Sequence, residues 1–324
     1  MENTKYRAGF LNAFWWSAKP ENTDDVKRVL SRYPFISSIE HPAKIYHYTS
    51  AEALIGIVRD HGFFMTHCSY LNDSAEISHG REIAQQVLIK LSSKSRYQAI
   101  RVILQKSAEL VASPSAKEYY VSCFTKEQDS LEQWRAYCPN GGINIEISAP
   151  YGGNLGVGPR LLFQHAMYDE TDKIRLIIFL VRKYIKEFIK DIEYYGGIPP
   201  YEMDEEYAAY LASEISHLVP TFKHPAFRSE NEIRIVAQSE QKQLTVHSRP
   251  SGQIIIPFLK TNEYIFNSDS PIPPSSEPPL LNISKIIIGP QPKRELVAES
   301  IRTFMQRNGY PEIEVMHSVV PYRN

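Results

Sequence analysis

Short apolar runs alternate along this chain with longer segments whose apolar residues recur every three to four positions. Runs of four to eight residues are typical of strands, whereas the longer periodicity is typical of amphipathic helices. The strongest helical pattern extends from Ile174 to Ile192. Strands are predicted near residues 45–48, 63–66, 119–124, 143–147, 233–237, 254–258, 283–288 and 313–319. Helices are predicted near residues 54–61, 77–88, 99–111, 131–137, 174–192, 205–218 and 293–308.

This order of elements predicts an α/β (α+β) fold with a mixed β-sheet. The chain of 324 residues is longer than the commonest domain, but one elaborated domain can accommodate it. We expect an N-terminal extension over residues 1–43 and a single domain over residues 44–324. Two helical segments at about 170–220 would form an insertion between sheet elements.

Charge and cysteine content narrow the class of protein. Thirty-six Lys and Arg oppose 37 Asp and Glu, which disfavours a globally basic nucleic-acid or membrane binder. The three cysteines form no CxxC pair, so neither a disulfide framework nor a structural zinc site is expected. The sequence starts without a signal-peptide pattern and holds no apolar run of membrane-spanning length. We therefore expect a cytoplasmic protein that makes no membrane contact.

The first candidate for chemistry is the segment Tyr46–Ser50, at the end of a predicted strand. It places the His47 imidazole and several hydroxyl groups directly before a helix, with Ser50 in the N-cap position. A helix N-terminus offers unpaired N–H donors and favours anionic groups. The alternative is that Ser50 only caps the helix and His47 is a hydrogen-bonded core histidine.

The second candidate is the acidic segment that enters the strand at residues 233–237. If Ile233 and Ile235 face the core, strand alternation places Glu230, Glu232 and Arg234 together on the other face. Two carboxylates and a guanidinium could polarise a sugar hydroxyl. They could equally form an ion-pair ladder without a function.

Aromatic residues form a third group. Trp134 and Tyr137 share a face of the short helix at residues 131–137, and Phe124 ends the preceding strand. Such rings can stack on a nicotinamide or adenine ring, although packing is their commoner role. Tyr70 is a further aromatic candidate. Asp73 and Glu76 fit a turn with a capping box.

A set of motifs in this order resembles the bacterial family catalogued as domain of unknown function 2971. The set comprises Tyr46–Thr49, Leu71–Glu76, Cys123 and Phe124 with Trp134 and Tyr137, Phe227 with Glu230, Glu232 and Arg234, and Ser318–Arg323. This resemblance covers most of the chain from about residue 44 onward. It implies no activity by itself.

The segment around His47 is also similar to the first motif of ADP-ribosyltransferases, in which a histidine strand precedes a helix and a glycine. Their late Glu-x-Glu pair corresponds to Glu230-Asn231-Glu232. The resemblance implies that NAD is the substrate and that His47 contacts a ribose hydroxyl. Glu232 would stabilise positive charge on the ribose, and Glu230 would orient or deprotonate the acceptor. The expected NAD-contacting residues are His47, Tyr48, Thr49, Ser50, Tyr70, Phe124, Trp134, Tyr137 and Arg234.

By the same resemblance, the acceptor is a macromolecule, either a protein or a nucleic acid, as for bacterial toxins and phage-defence effectors. An antitoxin or chaperone partner would fit such a role. The middle motif of these enzymes has no clean counterpart, since Tyr70 and the strand Ser122–Thr125 are only its nearest candidates. The transferase hypothesis further requires that His47 and Glu232 line one cleft.

Two other hypotheses remain open. Asp73, Glu76, Glu230 and Glu232 could bind Mg²⁺ or Mn²⁺ in a nuclease, although no lysine stands at a typical nuclease spacing. Alternatively, His47 and the glutamates could form a polar network in a non-catalytic sensor or partner-binding module. No resident metal is part of the leading hypothesis.

Overall fold

The apolar runs form the strands of a mixed sheet, and the periodic segments form helices that pack against the sheet and one another. The computed structural model describes residues 43–71, 75–113, 119–149, 163–198, 200, 202–238, 245–262 and 281–321. The strands are β1 Ala43–Thr49, β2 Phe64–His67, β3 Tyr119–Thr125, β4 Ile143–Ala149, β5 Phe163–His165, β6 Glu232–Gln238, β7 His247–Ser251, β8 Ile254–Lys260, β9 Ile283–Ile288 and β10 Glu314–His317. The helices are α1 Ala51–Arg59, α2 Ala75–Lys94, α3 Gln98–Ala112, α4 Leu131–Tyr137, α5 Glu170–Tyr194, α6 Met203–Leu218 and α7 Arg294–Arg307. The predicted mixed α/β fold is confirmed.

The sheet has the strand order β10-β9-β4-β1-β3-β2-β8-β7, and it branches at β3. On the branch, β6 pairs with β3 and β5 pairs with β6. The β9–β10 pair is parallel, whereas the β3–β6 pair is antiparallel over the whole length of both strands. Strands far apart in sequence therefore meet at β3.

A split in the sheet lies along one edge of β3. On that edge β1 pairs only through Tyr46 with Thr125, and β2 pairs with Val121 and Tyr120 nearer the start of the strand. Cys123 lies between these two points. Since β6 occupies the other edge, the split falls at Cys123 on the edge of β3 that faces β1 and β2.

Two large hydrophobic clusters hold these elements. One joins the sheet to α1 and α7 through residues such as Leu54, Ile145 and Ile301. The other lies among helices α2, α3, α5 and α6. The two helices predicted at about 170–220 therefore share an apolar cluster with two earlier helices.

The ends of two helices follow from their capping residues. Ser50 accepts a hydrogen bond from the Ala53 N–H at 3.1 Å, as predicted for the N-cap of α1. Asp169 accepts one from the Thr171 N–H at 2.8 Å and caps α5 in the same way. Within the described residues, no helix is long and apolar enough to cross a bilayer.

The structure differs from the sequence-based prediction at the entry to β6. A 3₁₀-helix, Pro225–Glu230, precedes the strand, and Asn231 adopts a left-handed conformation with φ 43°. Asparagine tolerates this conformation better than most residues. Glu230 therefore reaches Glu232 through a turn, and the predicted strand face containing both residues is wrong. The short strands β5 and β7 were not predicted, and residues 1–42 of the expected N-terminal extension lie outside the described residues.

A buried charge cluster as the candidate functional site

The ammonium group of Lys223 joins the two glutamates of the Glu-Asn-Glu turn. Its Nζ atom lies 2.6 Å from Glu230 Oε2 and 2.7 Å from Glu232 Oε2. The same Glu232 oxygen accepts a hydrogen bond from an Arg234 terminal nitrogen at 2.9 Å. Arg234 also donates to the Pro220 carbonyl. Two cations and two carboxylates thus form one cluster at the start of β6.

The opposite charges in this cluster each stabilise the ionised form of their neighbours. Burial alone would raise the pKa of Glu232, but the positive charges of Arg234 and Lys223 outweigh burial and lower that pKa to about 2. Burial opposes the charged form of Lys223, yet Glu232 and the hydrogen bonds to both glutamates raise the Lys223 pKa above its ordinary value. Glu232 and Lys223 are therefore both ionised at neutral pH.

The two glutamates differ in their access to solvent. The Glu230 side chain is 17% exposed, whereas the Glu232 side chain is 5% exposed. The Tyr137 hydroxyl donates to Glu230 Oε2 at 3.0 Å, and Tyr137 itself is exposed. Phe227 and Arg228, in the 3₁₀-helix before the turn, are exposed as well. Glu230 is thus the carboxylate that an incoming molecule could reach.

Backbone contacts fix the turn that carries these carboxylates. The Glu230 carbonyl accepts hydrogen bonds from Thr125 Oγ1 at 2.6 Å and from Gln133 Nε2 at 3.3 Å. The Glu232 N–H donates to the Tyr168 hydroxyl at 2.8 Å. The end of β3, helix α4 and the segment just before α5 therefore all position the turn.

Cys123 lies beside Glu232 on the neighbouring strand, where it pairs with Arg234 across β3 and β6. Burial, followed by the negative charge of Glu232, raises the pKa of the Cys123 thiol well above its ordinary value. A protonated thiol is a poor nucleophile. Cys123 therefore serves here as a hydrogen-bonding neighbour of Glu232 and not as an activated thiolate.

His47 occupies the split in the sheet. Its Nδ1 atom lies 2.8 Å from the Cys123 carbonyl, and because a carbonyl only accepts, this nitrogen carries the proton. The imidazole centroid lies 5.4 Å from the ring of Phe63 and 5.4 Å from that of Phe124. Burial lowers the pKa of His47, the Cys123 hydrogen bond opposes this effect, and the charge of Arg249 lowers it further. The imidazole is therefore neutral at pH 7.

His47 and Glu232 do not line one cleft as expected. Tyr46 pairs with Thr125, and Thr125 pairs with Glu232, so these three side chains share a face of the sheet. His47 follows Tyr46 and points the other way, toward the cluster that contains Phe124. Cys123 stands between the two residues, with its carbonyl bonded to His47 and its thiol beside Glu232. The contact between His47 and a sugar bound at Glu232 is therefore not supported by this geometry.

The aromatic residues expected to contact NAD are mostly core residues. Trp134 is 3% exposed, and its Nε1–H donates to Asp129 at 2.6 Å. Phe124 is buried in the sheet core. Tyr48 is also buried, with its hydroxyl bonded to the Glu127 carbonyl at 2.9 Å. The stacking roles predicted for Trp134 and Phe124 are wrong, and Tyr48 has a structural role, because packing encloses these rings.

The remaining predicted residues are dispersed. The Ser50 hydroxyl serves as the helix cap, and the Thr49 carbonyl accepts a weak hydrogen bond from the Cys138 thiol at 3.5 Å. Tyr70 is exposed, and its ring centroid lies 5.7 Å from that of His67. Arg234 and Tyr137 are the two predicted contact residues that the structure brings to the glutamates.

Lys223 and Tyr168 belong to the cluster but were not predicted from the sequence. Lys223 precedes the 3₁₀-helix and has no periodic pattern around it, so only the fold reveals that it joins the glutamates. Tyr168 lies just before α5, far from Glu232 along the chain. Cys123 had a partial signal, since it belongs to the strand considered for the missing middle motif.

The predicted metal cluster cannot be assembled from the described residues. Asp73 and the side chain of Glu76 lie outside them. In the part of the chain that the structure describes, His, Cys, Asp and Glu side chains form no group of three or more suited to a metal ion.

Fold and site together define a mixed α/β protein with a buried Glu-Lys-Arg cluster at the entry to β6. Residues 133–235 match the model of a family described as "Protein of unknown function (DUF2971)". This match confirms the predicted family resemblance over a stretch that contains Tyr137, Lys223 and both glutamates. The chain matches no curated protein and no solved structure. The ADP-ribosyltransferase resemblance therefore stays a prediction.

Proposed function

We propose that this protein consumes NAD and transfers its ADP-ribose group to a macromolecule at the Glu230–Glu232 turn. His47 and Glu232 lie on opposite faces of the sheet, so this proposal gives up the His47–ribose contact that the motif resemblance required and depends on the turn alone. The observation that carries the proposal is the convergence of the two carboxylates on Lys223 at 2.6 and 2.7 Å. Glu232 is buried and ionised, and Glu230 is the more exposed of the two, with 17% of its side chain accessible. A carboxylate held in a fixed orientation can stabilise the positive charge that develops on a sugar during glycosyl transfer.

The chemistry of the reaction favours different roles for Glu230 and Glu232. Cleavage of the nicotinamide–ribose bond develops positive charge on the ribose, which a nearby carboxylate stabilises. Glu232 is buried and bound to two cations, so Glu230 is better placed to contact the sugar. Glu232 and Lys223 would hold Glu230 in position. This assignment reverses the order of preference that the sequence suggested.

The surface around Glu230 suits a large acceptor. Phe227 and Arg228 are exposed next to the turn, and Lys223 Nζ lies 5.2 Å from the Phe227 ring centroid. An exposed aromatic ring and a guanidinium are common anchors at macromolecular interfaces. They support a protein or nucleic-acid acceptor, as for a toxin or defence effector, in preference to water.

A non-catalytic module is the second candidate, and it is favoured by the fact that the two carboxylates, His47 and Ser50 all have structural partners. Two cations balance the two carboxylates, while His47 is a neutral donor to Cys123 and Ser50 is a helix cap. A polar network with these partners can have a purely structural role, in which it specifies the fold and takes part in no reaction. Under this alternative the cluster stabilises the protein but supports no reaction.

The experiment that separates the two is nicotinamide release from NAD by the purified protein, with cell lysate present as a source of acceptors. Glu230→Gln keeps the size and the acceptor oxygen of the side chain but removes its charge. We expect release by the wild type and a loss of roughly a hundredfold in the variant. Glu299→Gln, at an exposed position on α7, is the matched control and should behave as the wild type.

Absence of release by the wild type with lysate present, or equal release by Glu230→Gln, would contradict the transferase proposal. The melting temperature of each variant is measured in parallel. No release, combined with a lower melting temperature for Glu232→Gln, is the outcome expected of a non-catalytic module.

A further inference from the structure

The segment Ser318–Val320, which follows β10 and is called the strap here, is bound to Asp129. The Ser318 hydroxyl donates to Asp129 Oδ1 at 2.6 Å, and the Val319 N–H donates to Oδ2 at 2.8 Å. The Val320 N–H in turn donates to Ser318 Oγ at 3.0 Å. Val319 as a residue is 90% exposed. Polar contacts therefore hold this part of the strap, and the Val319 side chain adds little.

The strap is also tied to the end of the sheet. The Ser318 N–H donates to the Ile288 carbonyl at 2.8 Å, and Arg294 donates to the Ser318 carbonyl at 3.2 Å. Both anchors belong to the β9–α7 unit. Asp129 lies in the loop between β3 and α4, so the strap connects two regions that are distant along the chain.

Asp129 connects the strap to α4, because it also binds Trp134 of that helix. Asp129 Oδ1, which binds Ser318, also accepts the Trp134 Nε1–H at 2.6 Å. The Trp134 ring packs edge-on against Tyr48, with 4.6 Å between ring centroids. It also lies so close to Gly289 that a Cβ there would come within 2.7 Å of the ring. The tryptophan has little freedom to move, and α4 is fixed with it.

Helix α4 in turn contacts the candidate site at two points. Gln133 donates to the Glu230 carbonyl at 3.3 Å, and Tyr137 donates to the Glu230 carboxylate at 3.0 Å. Although Tyr137 is exposed as a residue, desolvation of its hydroxyl and the charge of Glu230 raise its pKa, which keeps the hydroxyl protonated as a donor. A continuous path of contacts thus runs from the strap to the accessible carboxylate.

We infer that Asp129, held by the strap, is a positioning residue that sets Tyr137 against Glu230. Its effect on the reaction rests on the proposed function, whereas its effect on α4 does not. Any event that lifts the strap would free Asp129, loosen α4 and change the placement of Glu230. The strap is therefore part of the framework that positions Glu230.

Hydrogen exchange of the α4 amides, followed by mass spectrometry, tests the structural part. Val319→Pro removes the N–H that binds Asp129, and Val319→Ala keeps it while removing most of the side chain. Loss of one hydrogen bond worth about 1 kcal/mol should speed exchange in residues 131–137 by about fivefold. Val319→Ala should leave exchange unchanged. Ser318→Ala, which removes the other donor, provides a second variant should the proline variant fail to fold.

Unchanged exchange in α4 of both Val319→Pro and Ser318→Ala would overturn the inference. If the wild type releases nicotinamide, faster exchange should accompany a lower kcat with KM little changed, because Glu230 would be misplaced for the reaction. Faster exchange with an unaltered kcat would overturn the positioning role. If the wild type releases none, the proposed function fails, and the exchange result still decides whether the strap holds α4.

Discussion

Glu232→Gln tests the energetic role of the charge cluster, because the substitution removes a charge and preserves the size of the side chain. In the wild type, Glu232 Oε2 lies within hydrogen-bonding distance of both Lys223 and Arg234. The variant leaves both cations in the protein interior with weaker partners. We therefore expect a loss of stability at neutral pH.

The magnitude follows from the shifted acidity of this group. Each pKa unit corresponds to about 1.4 kcal/mol. A fall of the Glu232 pKa from 4.5 to about 2 thus corresponds to about 3 kcal/mol of unfolding free energy. Removal of one partner from a buried ion pair typically costs about 3–5 kcal/mol, which agrees with this value.

The sign of the pH dependence is also fixed. The Glu232 pKa is lower in the folded than in the unfolded protein, so its contribution is fully present above pH 4.5 and is lost as pH falls toward 2. Urea unfolding of wild type and variant should therefore differ by about 3 kcal/mol at pH 7 and by clearly less at pH 3. A control substitution at exposed Glu299 should change stability by less than about 0.5 kcal/mol. A Glu232→Gln variant as stable as the wild type at pH 7, or a difference independent of pH, would refute the reasoning.

Three further predictions concern the surroundings of the cluster. Gly289→Ala should lower stability by about 1–3 kcal/mol, because its Cβ would come within 2.7 Å of the Trp134 ring; an unchanged urea midpoint would contradict this contact. The Cys123 thiol should react with iodoacetamide far more slowly at pH 8 in the folded protein than in urea, because burial and Glu232 raise its pKa; equal rates by mass spectrometry would contradict this. His47 should titrate below its ordinary pKa of 6.5 by NMR, and Arg249→Gln should raise that pKa by removing a positive charge; an identical pKa in both proteins would exclude the Arg249 effect.

Local pattern was sufficient to predict most of the elements. The periodicity of α5 identifies its buried apolar residues directly, because the side chains that face the core repeat every 3.6 positions. The alternation of β4 identifies the strand but not its burial, because Asn144 and Glu146 are as buried as the isoleucines between them. The cap at Ser50 was equally predictable, since capping depends on neighbouring backbone groups.

The site depended on contacts that local pattern does not encode. The register that places Glu232 opposite Thr125 joins residues more than 100 positions apart, and Lys223 reaches the glutamates from outside any periodic segment. The face of His47 depends on the register of β1, in which Tyr46 pairs with Thr125 and His47 with Ile145, and no residue type specifies that register. Trp134 has the chemistry for either stacking or packing, and only its burial decides between the two roles.

The most direct test of the central proposal is transfer of label from NAD that carries a label in its ADP-ribose half. Purified protein is incubated with lysate, and the macromolecular fraction is treated with protease or nuclease to identify the acceptor. We predict labelled macromolecules with the wild type and Glu299→Gln, and a loss of roughly a hundredfold with Glu230→Gln. Unlabelled macromolecules with the wild type, or equal labelling by Glu230→Gln, would contradict the assignment of this turn to ADP-ribose transfer.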